Sequence, residues 1–497
     1  MPRLRSVAFY TPGWPPGRFQ NGIVTYVGHM ASGLRRLGLD TRILTAEERS
    51  GLDGSGPGPG PNHEPGDLPP GEEPAQHPRA AVDLGRVGVS GPHALLDRVL
   101  DRIPRLGTSG LSFGWSVARG IAALEGTASV DLLEMEESFG AALYAQEVST
   151  VPIVVRLHGP WFLNGAALGV PTDTPEFARR DRAEARCIAD ARAVTSPSRD
   201  LLERVRSRYG LALEQAAVIP NPAPVIPPGS HWRADRADRN TVLFVGRFDR
   251  HKGGDLMVEA FGRLAARIPQ ARLIFVGPDR GLRDDAGVQH DLAGYLEAKL
   301  PPAARGRVQV RGPLQGQQIE PLRREAFVTV VASRYENFSL ALVEALSFGC
   351  PTIAARVGGN PEILRADETG VLVPGGDAEA LAAGLQALIE EPERAARLGG
   401  AAALDMAERL QPDAIARLTR DFYEAVLDRP GAAPPPRAGR GLRRVIYRLG
   451  TLTRSRPEAR FTASGSSEAA SPEAARAEAS RPEAARPEAS ARPEAAR

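Results

Sequence analysis

The sequence predicts an α/β protein made of two doubly wound parallel-sheet domains. Strand-length apolar runs alternate with helix-periodic stretches along most of the chain, a Pro-rich segment (NPAPVIPPG, 221–229) interrupts the alternation, and the alternation then restarts. At 497 residues the chain exceeds what one core usually needs, and 42% hydrophobic with 25% charged residues is the balance of a soluble globular protein.

The first domain is expected over 1–222. SVAFY (6–10) reads as a buried strand, TPGWPPGRFQNG (11–22) as a Gly/Pro-rich loop, and IVTYVGHMASGLRRLG as a helix that ends at Gly38. TRILTA (41–46) is the next strand, so the chain opens with a βαβ unit. Residues 51–80 are dominated by Gly, Pro and acids, bury too little apolar surface to offset ordering, and are expected to be a mobile insertion. Two helical stretches around 92–124 follow. Then come the strand VDLLEM, the helix SFGAALYAQEV, the strand PIVVRLH, a helix over 175–190, the strand RAVTSPS, a helix over 199–209 and the strand AAVIPNP.

The second domain is expected over 223–411. NTVLFVGRF, ARLIFVGP, VQVRG, FVTVVAS and PTIAA are its strands, with helices over 253–267, 290–299, 317–325, 338–348, 377–390 and 393–408. A helix at 412–429 closes the folded part. Beyond 430 the composition turns to Arg, Pro, Glu and Ala with a five-residue repeat built on RPEAA. Regular proline prevents a continuous helix, and a disordered tail is expected. Two Rossmann-like domains joined by a short linker place a cleft between facing sheets, where open α/β sheets bind ligands.

Several function classes are excluded. Residues 430–497 hold 13 Arg against 7 Glu, a surplus of +6 that leaves the preceding residues at about −4, so the body lacks the basic surplus of a nucleic-acid binder. No apolar run approaches the roughly 18–20 residues that span a bilayer, and the basic start MPRLR leads into no signal-length apolar run; a cytoplasmic protein is expected. Cys187 and Cys350 are too few for a disulfide framework or a cysteine zinc site and read as buried free thiols. Neither domain's first strand is followed by GxGxxG, which disfavours a nicotinamide oxidoreductase.

Two constellations carry chemistry. In VLFVGRFDRHKGGDLMVEAF a strand ends at Gly246, a loop presents Arg247 and Lys252, and Gly253 and Gly254 open a helix. Only two of the 62 basic side chains are lysine, Lys252 and Lys299, so a lysine here is notable. Two cations beside the positive end of a helix suit a diphosphate. In SRYENFSLALVEALSFGCPTIAA, Glu336 lies in the loop after a strand, Asn337 or Ser339 caps the next helix, and Glu344 lies within it. One carboxylate can reach a sugar and the other ribose hydroxyls, while the amides of Phe338, Ser339 and Leu340 face the phosphates between them.

On these residues the chain resembles glycosyltransferase family 4, the retaining nucleotide-sugar transferases of GT-B fold, over roughly residues 5–428. The GR-x4-KG element matches Gly246, Arg247, Lys252 and Gly253, and the E-x7-E element matches Glu336 and Glu344. The resemblance implies that Arg247 and Lys252 hold the donor diphosphate, that Glu336 touches donor sugar hydroxyls and that Glu344 binds the ribose. Asn337 and Ser339 stand where glycines are common in the family. VGGNPEIL (357–364) is similar to the loop after the second element, and Gly370 with VLVPGGD resembles the closing segment on the nucleotide side. Gly22, after Asn21, resembles the glycine loop that approaches the donor phosphates. His158, ending PIVVRLH, stands where the family places a histidine facing the reacting sugar. Glu134 and Glu136 are further acceptor candidates, and Asn221 is expected at the hinge.

The expected activity is therefore transfer of a glycosyl group from a UDP-, GDP- or ADP-sugar to a hydroxyl acceptor on a glycan, a lipid-linked sugar or a small molecule. No DxD cluster ends a strand, and RDD at 283–285 follows loop residues, so neither metal nor cofactor is expected and cations replace a divalent ion. A nucleotide-sugar epimerase of the same fold and a non-catalytic sugar-nucleotide binding protein are the alternatives. Residues 437–460 carry eight Arg against one Glu, with Leu442, Val445, Ile446, Tyr447 and Leu449 interspersed, which suits peripheral contact with anionic membrane.

Overall fold

The computed structural model describes residues 4–16, 19, 21–45, 81–84, 111–125, 129–149, 151–227, 229–284 and 286–429. The insertion expected at 51–80, the first of the helical stretches around 92–124, Asp285, the tail 430–497 and its basic stretch 437–460 lie outside these residues.

Every residue of β1 (Ser6–Thr11) is buried, as a strand covered on both faces requires. Asn21 caps α1 (Gly22–Arg36) by accepting the Ile23 N–H at 2.8 Å. β2 (Asp40–Thr45) then pairs in parallel with β1, Ser6 opposite Asp40 and Thr11 opposite Thr45. The first lobe continues through β3 (Ala81–Asp83), α2 (Leu111–Glu125), β4 (Leu132–Glu136), α3 (Ala141–Val148), β5 (Ile153–Arg156) and α4 (Trp161–Ala167). It is completed by α5 (Pro175–Ala189), β6 (Ala193–Ser196), α6 (Arg199–Tyr209) and β7 (Ala216–Val218). Its seven strands run β3-β2-β1-β4-β5-β6-β7, all parallel.

The second lobe repeats the plan. β8 (Asp238–Val245), α7 (Gly254–Arg267) and β9 (Arg272–Val276) open it, followed by a small hairpin of β10 (Leu282–Arg283) and β11 (Gln289–His290). Next come α8 (Leu292–Lys299), α9 (Pro302–Arg305), β12 (Val308–Gly312), α10 (Gly316–Glu325), β13 (Ala326–Val331) and α11 (Leu340–Ser347). β14 (Thr352–Ala355), α12 (Asn360–Ile363), β15 (Val371–Val373) and α13 (Ala378–Glu390) follow. The six main strands run β12-β9-β8-β13-β14-β15, again all parallel.

In each sheet the chain starts centrally, steps to one edge and returns to the other side, so strand order reverses between β1 and β4 and between β8 and β13. Ligands bind outside the carboxyl ends of strands at such reversals. At these ends lie Gly22, which opens α1, Glu136, the last residue of β4, and, after neighbouring β5, His158 on one side, and Arg247, Lys252 and Glu336 on the other.

α14 (Pro392–Arg409) and α15 (Pro412–Asp428) are the last described helices. α15 returns to the first lobe and packs on α1: Arg36 pairs with Asp413 at 2.7 Å, and a methyl on Gly33 would meet the Ala416 Cβ at 2.9 Å. One apolar cluster joins Tyr26, Val27 and Met30 of α1, Ile415, Ala416 and Tyr423 of α15, and Phe338, Leu342 and Leu346 of the second lobe. The Ala223 N–H donates to the Leu410 carbonyl at 2.8 Å, so the two stretches that pass between lobes run side by side. Cys187 and Cys350 are free and buried. Among the described residues no helix is long and apolar enough to cross a membrane.

Candidate functional site

The loop after β8 is set by a residue that motif matching passes over. Asp249 is buried; its Oδ2 accepts from Arg247 Nε at 2.6 Å and its Oδ1 from the Lys252 N–H at 2.7 Å. A single carboxylate thus fixes both the arginine side chain and the backbone carrying the lysine. Gly253, the cap of α7, has φ 70°, and a Cβ there would stand 2.1 Å from the Ala332 carbonyl oxygen, so only glycine fits between this loop and the end of β13. That close approach lets Lys252 Nζ reach Glu336 Oε1 at 2.7 Å, joining the two sequence constellations.

Glu336 is buried, and Ser333 Oγ also donates to its Oε1, at 2.7 Å. Burial disfavours its charge, but Lys252 and then His251 outweigh burial and hold the carboxyl below its usual range. The ammonium has three donors and spends one on Glu336, leaving others for phosphate oxygens. The turn at Gly358 and Gly359 supports this loop from behind: the Gly359 N–H donates to the Glu336 carbonyl at 2.8 Å.

Ser339 is the residue that caps α11, through the Leu342 N–H at 3.4 Å. Asn337 does otherwise: its side-chain amide crosses to the first lobe and donates to the His158 carbonyl. Phe338 is turned into the core, and Leu340 opens α11 opposite Gly22, whose added Cβ would lie 3.4 Å from Leu340 Cδ1. Glu344 on α11 is partly exposed and accepts from the buried Arg323 at 2.7 Å, which aims one oxygen and leaves the other available.

On the first lobe, the His158 ring meets the Tyr26 ring edge-on at 5.2 Å, and burial together with Arg156 lowers its pKa to about 3, so the imidazole is neutral at physiological pH. Glu134 requires a correction as an acceptor candidate. It is buried in the lobe, its oxygens accepting from Tyr26 at 2.9 Å and from Tyr423 of α15 at 2.6 Å. The return of α15 covers it. Glu136 is also buried, its carboxyl pushed up to about 7, chiefly by burial. Asn221 accepts from the buried Arg156 at 2.7 Å, which ties the segment after β7 to β5.

Glu137 and Glu184 escaped the sequence reading. Glu137 accepts from the backbone N–H of His158 at 2.9 and 3.1 Å and of Gly159 at 2.7 Å. Glu184 accepts from the N–H of Phe139 at 3.0 Å and of Trp161 at 2.5 Å. Two buried carboxyl groups therefore staple the loops after β4 and β5. Their sequence signal is faint, because a Glu in EMEES or in a charged helix looks solvated. Among the described residues no cluster of His, Cys, Asp or Glu is arranged to hold a metal.

Two doubly wound lobes meeting at switch-point loops that carry an arginine, a lysine and a glutamate, with a second glutamate on the helix that follows, form a GT-B protein. Solved structures share the architecture: sucrose-phosphate synthase from Thermosynechococcus elongatus (TM-score 0.59, 22% identity, 85% of this chain and 99% of that one) and Anabaena HepE in complex with UDP-glucose (TM-score 0.55, 16% identity, 84% and 99%). The family described as glycosyl transferase 4-like domain matches residues 21–222, and that described as glycosyl transferases group 1 matches 232–405. The chain belongs to glycosyltransferase family 4. Curated relatives named D-inositol 3-phosphate glycosyltransferase are similar to it: the protein from Nocardiopsis dassonvillei is 33% identical over 51% of this chain and 60% of its own length. That from Xylanimonas cellulosilytica is 30% identical over 53% and 64%. The matches thus span less than two thirds of these relatives.

Proposed function

We propose that this chain transfers a glycosyl group from a nucleoside diphosphate sugar to a hydroxyl acceptor, with retention at the anomeric carbon. The observation that carries the proposal is the 2.7 Å contact between Lys252 and Glu336, which unites the cation loop with the glutamate loop at one crevice. As the glycosidic bond breaks, negative charge grows on the leaving diphosphate. Arg247, Lys252 and the N-terminal amides of α7 and α11 then bind the leaving group more tightly than the ground state, which lowers the barrier. Glu336 holds donor sugar hydroxyls and Glu344 the ribose. Neutral His158 exchanges hydrogen bonds with the reacting sugar without adding a charge that would compete for the diphosphate. Closure of the lobes excludes water and limits donor hydrolysis.

The named activity of the curated relatives and the UDP-glucose held by a solved neighbour support this reading. It is tested by incubating the protein with UDP-, GDP- and ADP-sugars, with and without a panel of sugar and cyclitol acceptors, and following nucleotide release and product. Acceptor-dependent release with a retained anomer is expected. An isomerised donor without acceptor would identify an epimerase, and binding without turnover a carrier. We also propose that 437–460 meets anionic lipid: co-sedimentation with phosphatidylglycerol vesicles should be lost when the chain is truncated at 430, and binding that persists would reject the contact.

A further inference from the structure

The peptide units around His158 are gripped from both lobes. Its N–H is held by Glu137 at 2.9 Å from within the first lobe, and its carbonyl receives the Asn337 side-chain amide from the second. Asn337 directly follows Glu336, so this hydrogen bond sets His158 one residue away from the carboxylate that meets Lys252. The contact is part of a seam. Glu362, at the start of α12, reaches across to cap α6: its Oε2 accepts from the Arg199 N–H and its Oε1 from the Asp200 N–H, both at 2.8 Å. Gly359 sits between the lobes, where a Cβ would lie 2.2 Å from the Asn337 carbonyl oxygen and 3.0 Å from Ser198 Cβ. The three residues come from the two adjacent segments of the second lobe that follow β13 and β14, and their partners from the adjacent segments of the first that follow β5 and β6.

Taking the transfer site above as given, we infer that Asn337 is a positioning residue. Its amide makes closure of the lobes and placement of His158 against the Lys252–Glu336 pair a single event, and Glu362 is the second tie of the same seam. The sequence offers Asn337 as a cap for α11, but Ser339 takes that place, and one N–H of the Asn337 amide is given to the opposite lobe. Neither tie touches the diphosphate loop, so loosening the seam separates catalysis from nucleotide affinity.

Two variants of the full chain test this. Asn337→Asp keeps the shape but removes the donor and sets a carboxylate against a carbonyl; Glu362→Gln keeps the shape of the second tie and removes its charge. Nitroxide labels attached through Ser207→Cys and Gln317→Cys, one exposed position on each lobe, report the interlobe distance, and both native cysteines are buried. With UDP as the probe, wild type should give one narrow distance distribution and Asn337→Asp a broadened, longer one. Turnover of the donor found in the screen should fall about tenfold in kcat, with KM for donor and Kd for UDP changed less than about threefold. Asn337→Gln, which retains the amide, should recover part of the loss, and Glu362→Gln should broaden the distribution to a smaller extent.

Weaker UDP binding by Asn337→Asp with an unchanged distance distribution would make Asn337 a donor contact and overturn the inference, as would wild-type kcat. Should wild type neither bind UDP nor turn over any nucleotide sugar, the transferase reading fails on its own. The ligand-free distance distributions then decide the seam: broadening in Asn337→Asp upholds it, and identity with wild type rejects it.

Discussion

Lys252 Nζ lies 2.7 Å from Glu336 Oε1 across 84 residues of sequence, and the carboxylate end of that pair is buried. Each partner depends on the other: the cation permits a buried charge, and the carboxylate aims the cation.

Lys252→Ala should weaken UDP binding about 10- to 100-fold, the loss of a charge-assisted hydrogen bond to phosphate, as read by calorimetry. It should also lower Tm, because Glu336 stays buried without its counter-ion. Adding Glu336→Gln should restore Tm while leaving UDP affinity low. Since the folded Glu336 carboxyl titrates below its usual 4.5, the pair stabilises the fold above that pH, and the contribution disappears as pH falls through the lower folded value.

The Glu137 carboxyl behaves in the opposite sense. Burial, then Glu184, pushes it to about 8, against the pull of its backbone N–H partners. Because the folded state holds its proton more tightly than the unfolded state, stability declines as pH rises from the ordinary carboxyl range to about 8. The slope approaches ~1.4 kcal/mol per pH unit for one such group. In urea unfolding, wild type should lose more stability between pH 6.5 and 8 than Glu137→Gln, which mimics the protonated group and lacks this contribution. Profiles of wild type and Glu137→Gln that run parallel over this range would contradict the assignment.

Tyr423→Phe removes one of the two hydroxyls that hold Glu134. The buried oxygen left behind should cost about 1–3 kcal/mol in urea unfolding. UDP affinity should be unaffected, because Glu134 lies beneath the cleft and not in it.

If Arg247 and Lys252 supply the charge that neutralises the leaving diphosphate, nucleotide release should persist in EDTA at the rate seen with added magnesium. Arg247→Ala should lower that rate in both conditions. Activity abolished by EDTA and restored by magnesium would transfer the role to a metal.

The parallel sheets and the two motif loops were legible because each depends on local pattern: a strand buried on both faces reads as a continuous apolar run, and the cation loop needs glycines at fixed offsets. Glu336 and Lys252 could be named for that reason, although nothing local says that they touch. The short elements α4, α12 and β15 gave no periodic signal. The roles of Asp249, Glu137, Glu184 and Glu362 were invisible because each serves backbone N–H groups brought near only by the fold. Glu134 was misread because the helix that buries it lies 289 residues further along.

The hydrogen bond from Ala223 to Leu410 has a mechanical meaning. A pair of lobes strung on one strap could twist in any direction, whereas here two straps cross together and are pinned to each other. Two pinned straps leave fewer directions of twist than one would, which favours bringing the same two edges back into register.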